Sequence, residues 1–522
     1  MDPIGKSLFI NLTFFLLQVN LNCNAQFDER IYFNNLYNQN SASVGRSVIE
    51  YENGYIIAGN SLDSNTGFIT MIILNTSLEG ELIFWKEFRV NSSDHYVGFS
   101  SSLNEFNNRF ILGGSHSVQN NSCGLYMNFD SSFNSYFYNS YYSKVGPVMY
   151  FRHCNVINQH DLIFTGYDRH PDMIGEVLLL KSDSSGNEKW RTSYSFDQTS
   201  EGQKVIATED NGFIISGYTY DPSDDYSGNA IIIKTDSGGS IEWQRTPGHP
   251  EYRDGYGSVT IAADGNFVFG YAHAVSQGPP YPVPYSYCKI KFIKYDQNGD
   301  TIWEKLYGKP YQLNMLRNII TLHDGSFVAV GYANSDTLTG PIQGWLFKIN
   351  QYGDSIWYRD YRHYQETSIL DYLYDVCETS DNGLIACGES SRAEPGPDAV
   401  QRIWVLKLDS AGCAEPGCDS TVRIDEIGGM EAGRQRRLEV WPVPCGEMLN
   451  VECLMLNEGR DCSLVLYDIF GRPAPIPSPA PTRGKGEVRW TIDVSTLPPG
   501  IYLVVVKDER GMVGSAKFVM AR

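Results

Sequence analysis

The chain has 522 residues, of which 42% are hydrophobic and 20% charged, so it can build a large core and is not a disordered polymer. Tyr (34), Phe (25) and Gly (49) are abundant, which favours strands and turns over helices. Acidic residues (61) outnumber basic ones (41), and a net charge of −20 argues against nucleic acid as a partner.

Residues 1–25 read as a signal peptide. Lys6 opens it, Leu8 to Leu17 is a short apolar run, and Cys23-Asn24-Ala25 is a small-x-small site before Gln26. The run is half the length of the roughly 20 apolar residues that a spanning helix needs, and Asn11 interrupts it. Asn20 and Asn22 fit a lipoprotein signal centred on Cys23 poorly. No later stretch is long and apolar enough to span, so no membrane span is expected. Beyond Ala25 ten cysteines remain, in a compartment that permits disulfides. Cys413 and Cys418 bracket a tight turn and are expected to bridge. Cys377 and Cys387 flank a turn at Ser380 to Gly383; they either pair across a hairpin or are buried strand residues.

From there a repeat governs the chain. A turn and an apolar strand ending in Gly recur at Asn53–Gly59, Asn211–Gly217, Asp264–Gly270, Asp324–Gly331 and Asn382–Gly388, with degenerate copies ending at Gly113 and Gly166. These seven glycines are spaced 54, 53, 51, 53, 61 and 57 residues apart. Each is followed by Lys-x-Asp, a turn Gly and a Trp: Lys181 to Trp190, Lys234 to Trp243, Lys294 to Trp303, and Lys348 to Trp357 with Asn350 for Asp. Trp85 and Phe137 take the Trp place in the first two copies, and Tyr194, Tyr307 and Tyr361 each stand four residues after a Trp. Asn-Gly and Asp-Gly between apolar runs are hairpin signals, and four-stranded units of about 50 residues are what a β-propeller needs. The Trp row is expected to dock between blades.

The seventh copy stops at Lys407, Asp409 and Gly412 without a Trp strand, yet Arg30 to Tyr37 matches one, with Phe33 in the Trp place. The expectation is therefore all-β: a seven-bladed β-propeller over residues 26–412, its last blade closed by a strand at 29–37. A linker at 413–436 and a small Ig-like β-sandwich at 437–522 follow. Charge marks the same division. From Glu426 onward there are twelve bases and twelve acids, so the whole −20 lies upstream.

In the propeller, the second-to-third and fourth-to-first connections are long, unlike one another, and share one face, which suits recognition. Candidate ligand-binding residues there are Arg152, His153, Arg253, Asp254, Arg317, Asp371 and Tyr372, with His273, Tyr281, Tyr285 and Tyr287 from a Pro- and Tyr-rich loop. Asp221, Asp224 and Asp225 are the only hint of Ca²⁺, and their spacing is no EF-hand, so no cofactor and no metal ligand set is assigned. No G-x-S-x-G, H-E-x-x-H or phosphate loop occurs, and no catalytic residue is assigned. Two functions stay open: a binding or adhesion module for glycan or protein, and an extracellular glycan-active enzyme (hydrolase or lyase) whose carboxylates come from different blades.

The C-terminal segment carries Trp441-Pro442-Val443-Pro444, then Leu466-Tyr467-Asp468-Ile469-Phe470-Gly471-Arg472, then Leu497 to Gly500 followed by Ile501-Tyr502, and finally Lys517-Phe518-Val519. In this order they resemble the C-terminal sorting domain of type IX secretion cargo. The resemblance implies the type IX secretion machinery as a partner, sorting residues at Pro442, Pro444, Tyr467, Asp468, Gly471, Arg472, Gly500, Tyr502 and Lys517, and a location on the outer-membrane surface or outside the cell. Truncation before Glu431 is expected to leave a folded propeller in the periplasm, while residues 431–522 fused to an inert exported carrier reach the cell surface. Cell fractionation in a host with that secretion system checks both, and normal display of the truncated propeller defeats the assignment.

Overall fold

The computed structural model describes residues 31–415 apart from 39–40, 63–66, 91–96, 119–120, 170–173, 222–227, 249–250, 278–285, 309–311, 335–340, 365–368 and 393–399. In the C-terminal part it describes 437–441, 448–454, 462–468, 474, 482–484, 487–498, 500–508 and 511–520. The chain divides into two compact units, Met1–Ser420 and Thr421–Arg522. All regular structure among the described residues is β.

The first unit is a seven-bladed propeller. Each blade is an antiparallel four-stranded meander, as in Thr199–Ala207, Phe213–Tyr220, Ala230–Thr235 and Ile241–Arg245 of blade four. The inner strands are Ala42–Tyr51, Val97–Phe106, Val148–Asn158, Thr199–Ala207, Gly257–Ile261, Asn314–Thr321 and Ile369–Glu378. Each lies against the next, and the seventh lies against the first, which makes the ring closed.

The repeated polar residues hold the hairpins of each blade. Lys181, Lys234, Lys294, Lys348 and Lys407 reach across to the first-hairpin acids Asp161, Asp210, Asp264, Asp324 and Asp381, at 2.6–3.1 Å. Burial alone would raise the Asp210 carboxyl; hydrogen bonds from Lys234, Thr208 and the Gly212 N–H hold it down at about 2. The Asp of Lys-x-Asp has a different task. Asp236 accepts from the Gly238 and Ser240 N–H groups, and Asp183, Asp296, Asn350 and Asp409 repeat this pattern. These are Asx turns, which set the third-to-fourth hairpin. The glycine three residues on has φ between +74° and +85° in six blades (Gly80, Gly186, Gly239, Gly299, Gly353, Gly412). Blade two places Phe133 there at φ +53°, and its ring stacks on Phe110 at 4.6 Å, so core contact offsets the strain.

Those turn glycines are where one blade docks on the next. The rings of Trp190, Trp243, Trp303 and Trp357 press on Gly239, Gly299, Gly353 and Gly412, leaving no room for a Cβ. Four residues after the aromatic, the hydroxyls of Tyr141, Tyr194, Tyr307 and Tyr361 donate to the carbonyls of Gly186, Gly239, Gly353 and Gly412. Blade four substitutes Arg245, whose Nε donates to Gly299. In blade one the residue opposite Asn75, the Lys equivalent, is Phe84; Trp85 sits one position out and faces Leu74. The expected Trp85 equivalence is corrected accordingly, since four residues after Gly80 is Phe84.

Blade seven takes its outer strand from Phe33–Tyr37, antiparallel to Arg402–Leu408 with Phe33 opposite Lys407. This strand makes the same docking contacts as the others. Phe33 presses on Gly80 of blade one, and the Tyr37 hydroxyl donates to the Gly80 carbonyl at 2.5 Å. Burial pushes Tyr37 up to about 12, so it stays a protonated donor. Asn34 anchors the strand to its own blade by accepting from the buried Trp404 indole at 2.7 Å, and donates to the carbonyl of Arg362, just past the outer strand of blade six.

The second unit packs a four-stranded sheet (Arg437–Trp441, Met448–Leu454, Glu487–Asp493, Thr482–Gly484) and a three-stranded sheet (Cys462–Asp468, Gly500–Asp508, Gly511–Met520). Leu449, Val451, Trp490 and Ile492 of one meet Leu464, Leu466, Val504 and Val506 of the other in a single core. Cys413 is disulfide-bonded, and Cys418 lies outside the described residues. Cys377 and Cys387 are free thiols. Cys377 faces Ile385 and Cys387 faces Asp375, so the hairpin register holds them apart and the bridge between them is not made.

Ser47, Ser102, His153, Lys204, Ser258, Asn318 and Asp375 stand at corresponding places on the seven inner strands and form a polar ring. Asp375 accepts from the Val48 N–H and the Ser47 hydroxyl, Ser47 accepts from the Leu103 N–H, and Ser102 from the Cys154 N–H. Lys204 crosses to Asn318 Oδ1 (2.7 Å) and the Ile319 carbonyl, and Asn318 donates to Asp375 (2.6 Å). His153 Nδ1 is buried without a protein partner among the described residues.

Deleting residues 27–37 exposes the third strand of blade seven, removes the Phe33 and Tyr37 contacts, and is expected to cost several kcal/mol in urea unfolding, about the size of two buried aromatic truncations. Unchanged unfolding would mean the ring does not depend on that strand. Burial first, and Lys204 second, push His153 from its ordinary 6.5 down to about 3, so folding favours neutral imidazole. That contribution is full above 6.5 and is lost as pH falls toward 3. His153→Gln is therefore expected to remove about 2–3 kcal/mol of the stability lost between pH 7 and 4.5, read from urea unfolding at both pH values.

Candidate functional site

The recurring Gly at the end of the second strand answers a steric demand. A Cβ at Gly59, Gly166, Gly217, Gly331 or Gly388 would lie 1.8–2.2 Å from a carbonyl oxygen of the inner strand (Val44, Tyr150, Glu201, Met315, Tyr372). Beside each of these carbonyls the inner strand bulges. The pairing slips at Gly45/Ser47, Phe151/His153, Gly202/Lys204, Leu316/Asn318 and Leu373/Asp375. Each slip leaves one residue unpaired: Arg46, Arg152, Gln203, Arg317 and Tyr374. Blade five shows no slip between its first and second strands, and there the position is Tyr271; Gly270 stands one residue early, as Gly113 does beside Gly114 in blade two.

The bulged residues form the mouth of the bore, above the polar ring and on the face that carries the long connections. Around them stand tyrosines from the first and second strands. Tyr150 and Tyr167 stack at 4.9 Å, Tyr218 and Tyr220 stack at 5.5 Å, and Tyr332 meets Tyr372 edge-on at 4.6 Å. Guanidinium groups lie on these rings. Arg317 is 4.7 Å from Tyr256, 5.4 Å from Tyr332 and 5.2 Å from Tyr374, while Arg46 is 4.4 Å from Tyr374.

Two carboxylates belong to the mouth. Glu201 is fully buried and takes an ion pair from Arg152 and hydrogen bonds from Tyr150 (3.0 Å), Tyr218 (3.0 Å) and Gln203 (2.9 Å). Burial holds both tyrosines far above their ordinary range, so both are donors. Burial opposes the charge on Arg152, and Glu201 more than offsets it. Glu389 accepts from Tyr374 (2.8 Å) and from Gln401.

Of the residues singled out from sequence, Arg152, Arg317 and Tyr372 lie together in this mouth, and His153 lies below it in the polar ring. Arg253 reaches its edge, 6.0 Å from the Tyr220 ring. Asp254 and His273 form a neighbouring cluster: Asp254 is buried, accepts from the Ala274 N–H at 2.8 Å, and lies 3.4 Å from His273 Nδ1. Tyr287 is buried in the third strand of blade five. Asp371 is buried, accepts from the His363 N–H, and is pushed by burial up to about 6. Tyr281 and Tyr285 lie outside the described residues, as do Asp224 and Asp225. Among the described residues no group of three or more His, Cys, Asp or Glu is placed to hold a metal ion. Arg46, Glu201, Tyr218, Tyr256, Tyr332, Tyr374 and Glu389 were not singled out; the recurring Gly, read as the mark of a bulge, would have found the bulged ones.

In the second unit, Tyr467 is half-buried, Asp468 is in register with Tyr502, and Lys517 is in register with Leu503. The Tyr502 hydroxyl donates to the Pro498 carbonyl at 2.9 Å, and Gly500 opens the Gly500–Asp508 strand. Pro442, Pro444, Gly471 and Arg472 lie outside the described residues.

Solved structures similar to this chain include the β-propeller domain of the Trilobed protease from Pyrococcus furiosus, which has an open velcro topology (10% identity, TM-score 0.38, covering 72% of this chain and 93% of that one). A protein of unknown function from Dyadobacter fermentans gives 11%, 0.41, 73% and 97% in the same order, and an ulvan lyase of polysaccharide lyase family PL25 gives 8%, 0.44, 72% and 96%. At these scores the likenesses carry no argument about ligand or chemistry. No curated protein matches the sequence. Residues 439–521 match the family described as secretion system C-terminal sorting domain. The chain thus carries a type IX secretion sorting domain, which directs it to the cell surface or the extracellular space.

Proposed function

We propose that this exported propeller is a binding module whose ligand, a saccharide chain, seats in the tyrosine-lined mouth of the bore. The observation that carries this reading is the combination of ring faces with satisfied acids. Tyrosine presents a broad, rigid, amphipathic face at low entropic cost, suited to the apolar faces of sugar rings. Tyr150, Tyr220, Tyr256, Tyr332 and Tyr372 are each only partly covered. Hydrolysis of a glycosidic bond commonly calls for a carboxyl pair in which one acid gives a proton and the other attacks or activates water. Glu201 already takes four protein groups and Glu389 two, which favours a scaffolding role for both.

The purified propeller is expected to be retarded in affinity electrophoresis by at least one extracellular polysaccharide, without producing new reducing ends or the ultraviolet absorbance of unsaturated sugars. Tyr332→Ala is expected to weaken that retardation about tenfold, the scale of one lost aromatic contact. Turnover of the retained polymer would overturn the binding reading in favour of catalysis.

A further inference from the structure

The mouth holds three arginines, Arg46, Arg152 and Arg317, against two carboxylates, Glu201 and the Glu389 that accepts from Tyr374, an excess of one positive charge. Arg152 is paired with Glu201. Arg317 has no carboxylate partner among the described residues; its polar contact there is a long one, 3.5 Å, to the Tyr332 hydroxyl, and its Nε is buried without a hydrogen-bond partner. Arg46 likewise has no ion pair among the described residues, and lies with Arg317 on the same Tyr374 ring. The three rings around Arg317 attract its charge, but a ring face cannot accept the directed hydrogen bonds of a guanidinium. Its planar fork is therefore braced by Tyr256, Tyr332 and Tyr374 with hydrogen-bonding capacity left over.

This local excess stands on a protein of net charge −20. At physiological ionic strength, exposed charges farther than about 8 Å are largely screened, so an incoming group at the mouth is governed by the nearby arginines and not by acids on the rim. A guanidinium matches carboxylate and sulfate geometry with two parallel hydrogen bonds, and such charge-assisted pairs are the strong ones.

We infer that the ligand of this mouth is an anionic saccharide, one carrying uronate carboxylates or sulfate esters, with the anion held by Arg317 and Arg46 while neighbouring sugar rings lie on the tyrosines. The inference rests on the mouth being the saccharide seat and adds the charge of what sits there.

The test uses the whole secreted protein with four probes: polygalacturonate, its fully methyl-esterified form, dextran sulfate and dextran. The expected result is retention of at least one charged polymer, at least tenfold weaker retention of its neutral counterpart, and a further loss of tenfold or more in Arg317→Gln. Arg46→Gln is the second variant, expected to lose affinity in the same direction, and urea unfolding of both variants shows that the fold survives. Affinity for the charged polymer should also fall steeply with added salt. Equal retention of charged and neutral polymers, unchanged in both variants but weakened by Tyr332→Ala, would overturn the anionic inference and leave the saccharide seat intact. Retention of a charged polymer that neither arginine variant changes would place binding elsewhere and overturn it as well. Retention of none of the four probes would count against both readings.

Discussion

One steric fact organises the propeller: a carbonyl of the inner strand occupies the space where the facing residue of the second strand would carry its Cβ. In five blades a Gly meets that carbonyl, and in the same five the inner strand slips by one beside it. A β-bulge re-aims a side chain and bends its strand. Here the unpaired residue is Arg46, Arg152, Gln203, Arg317 or Tyr374, and the next residue turns into the polar ring. A glycine that looks like a packing detail on the second strand thus determines which residue of the first strand reaches the axis. Mouth and polar ring are consecutive outcomes of the same irregularity.

The second organising contact is between blades. An aromatic on the outer strand meets a turn glycine of the following blade, and a hydroxyl four residues on caps that glycine's carbonyl. In six blades a glycine serves there twice over, for its positive φ and for the ring that covers it. Because Phe33 and Tyr37 supply these contacts to Gly80, the interface between blades seven and one is built like those between Trp190 and Gly239 or Trp357 and Gly412. The closing seam is thus of the same kind as these, whereas blade one meets blade two through Phe84 against Phe133.

Much of this architecture was legible because it repeats. Lys-x-Asp, the turn Gly and the Trp recur at nearly fixed spacing, and each is fixed by local geometry: an Asx turn, a positive φ, a facing ring. What was not legible is what pairs across strands. The Lys181–Asp161 and Lys234–Asp210 bridges join two repeated motifs that lie 20 and 24 residues apart in sequence, and neither motif announces the other. Register is off by one residue at Trp85 and Gly113, each beside a neighbour of like type (Phe84, Gly114), and at Gly270, where blade five carries Tyr271 in the glycine's place. The mouth was harder still. Arg152 and Arg317 stood out as charges in apolar strands, but Glu201 and Tyr256 meet them from other blades, and only the closed ring brings those segments together.

The strand Phe33–Tyr37 has a kinetic consequence. Asn34 and Trp404, which join it to blade seven, are 370 residues apart in the chain. Loop-closure entropy grows as (3/2)RT ln n, so bringing these two segments together costs about 5 kcal/mol on the length-dependent part alone. Six blades can each form from neighbouring hairpins as they emerge, whereas the seventh cannot be completed until residues near 408 are available. Until then the first strand is a free β-edge, able to pair with another copy as readily as with its own chain. High local concentration would therefore favour strand exchange between copies, each ring latched by the other's Phe33–Tyr37.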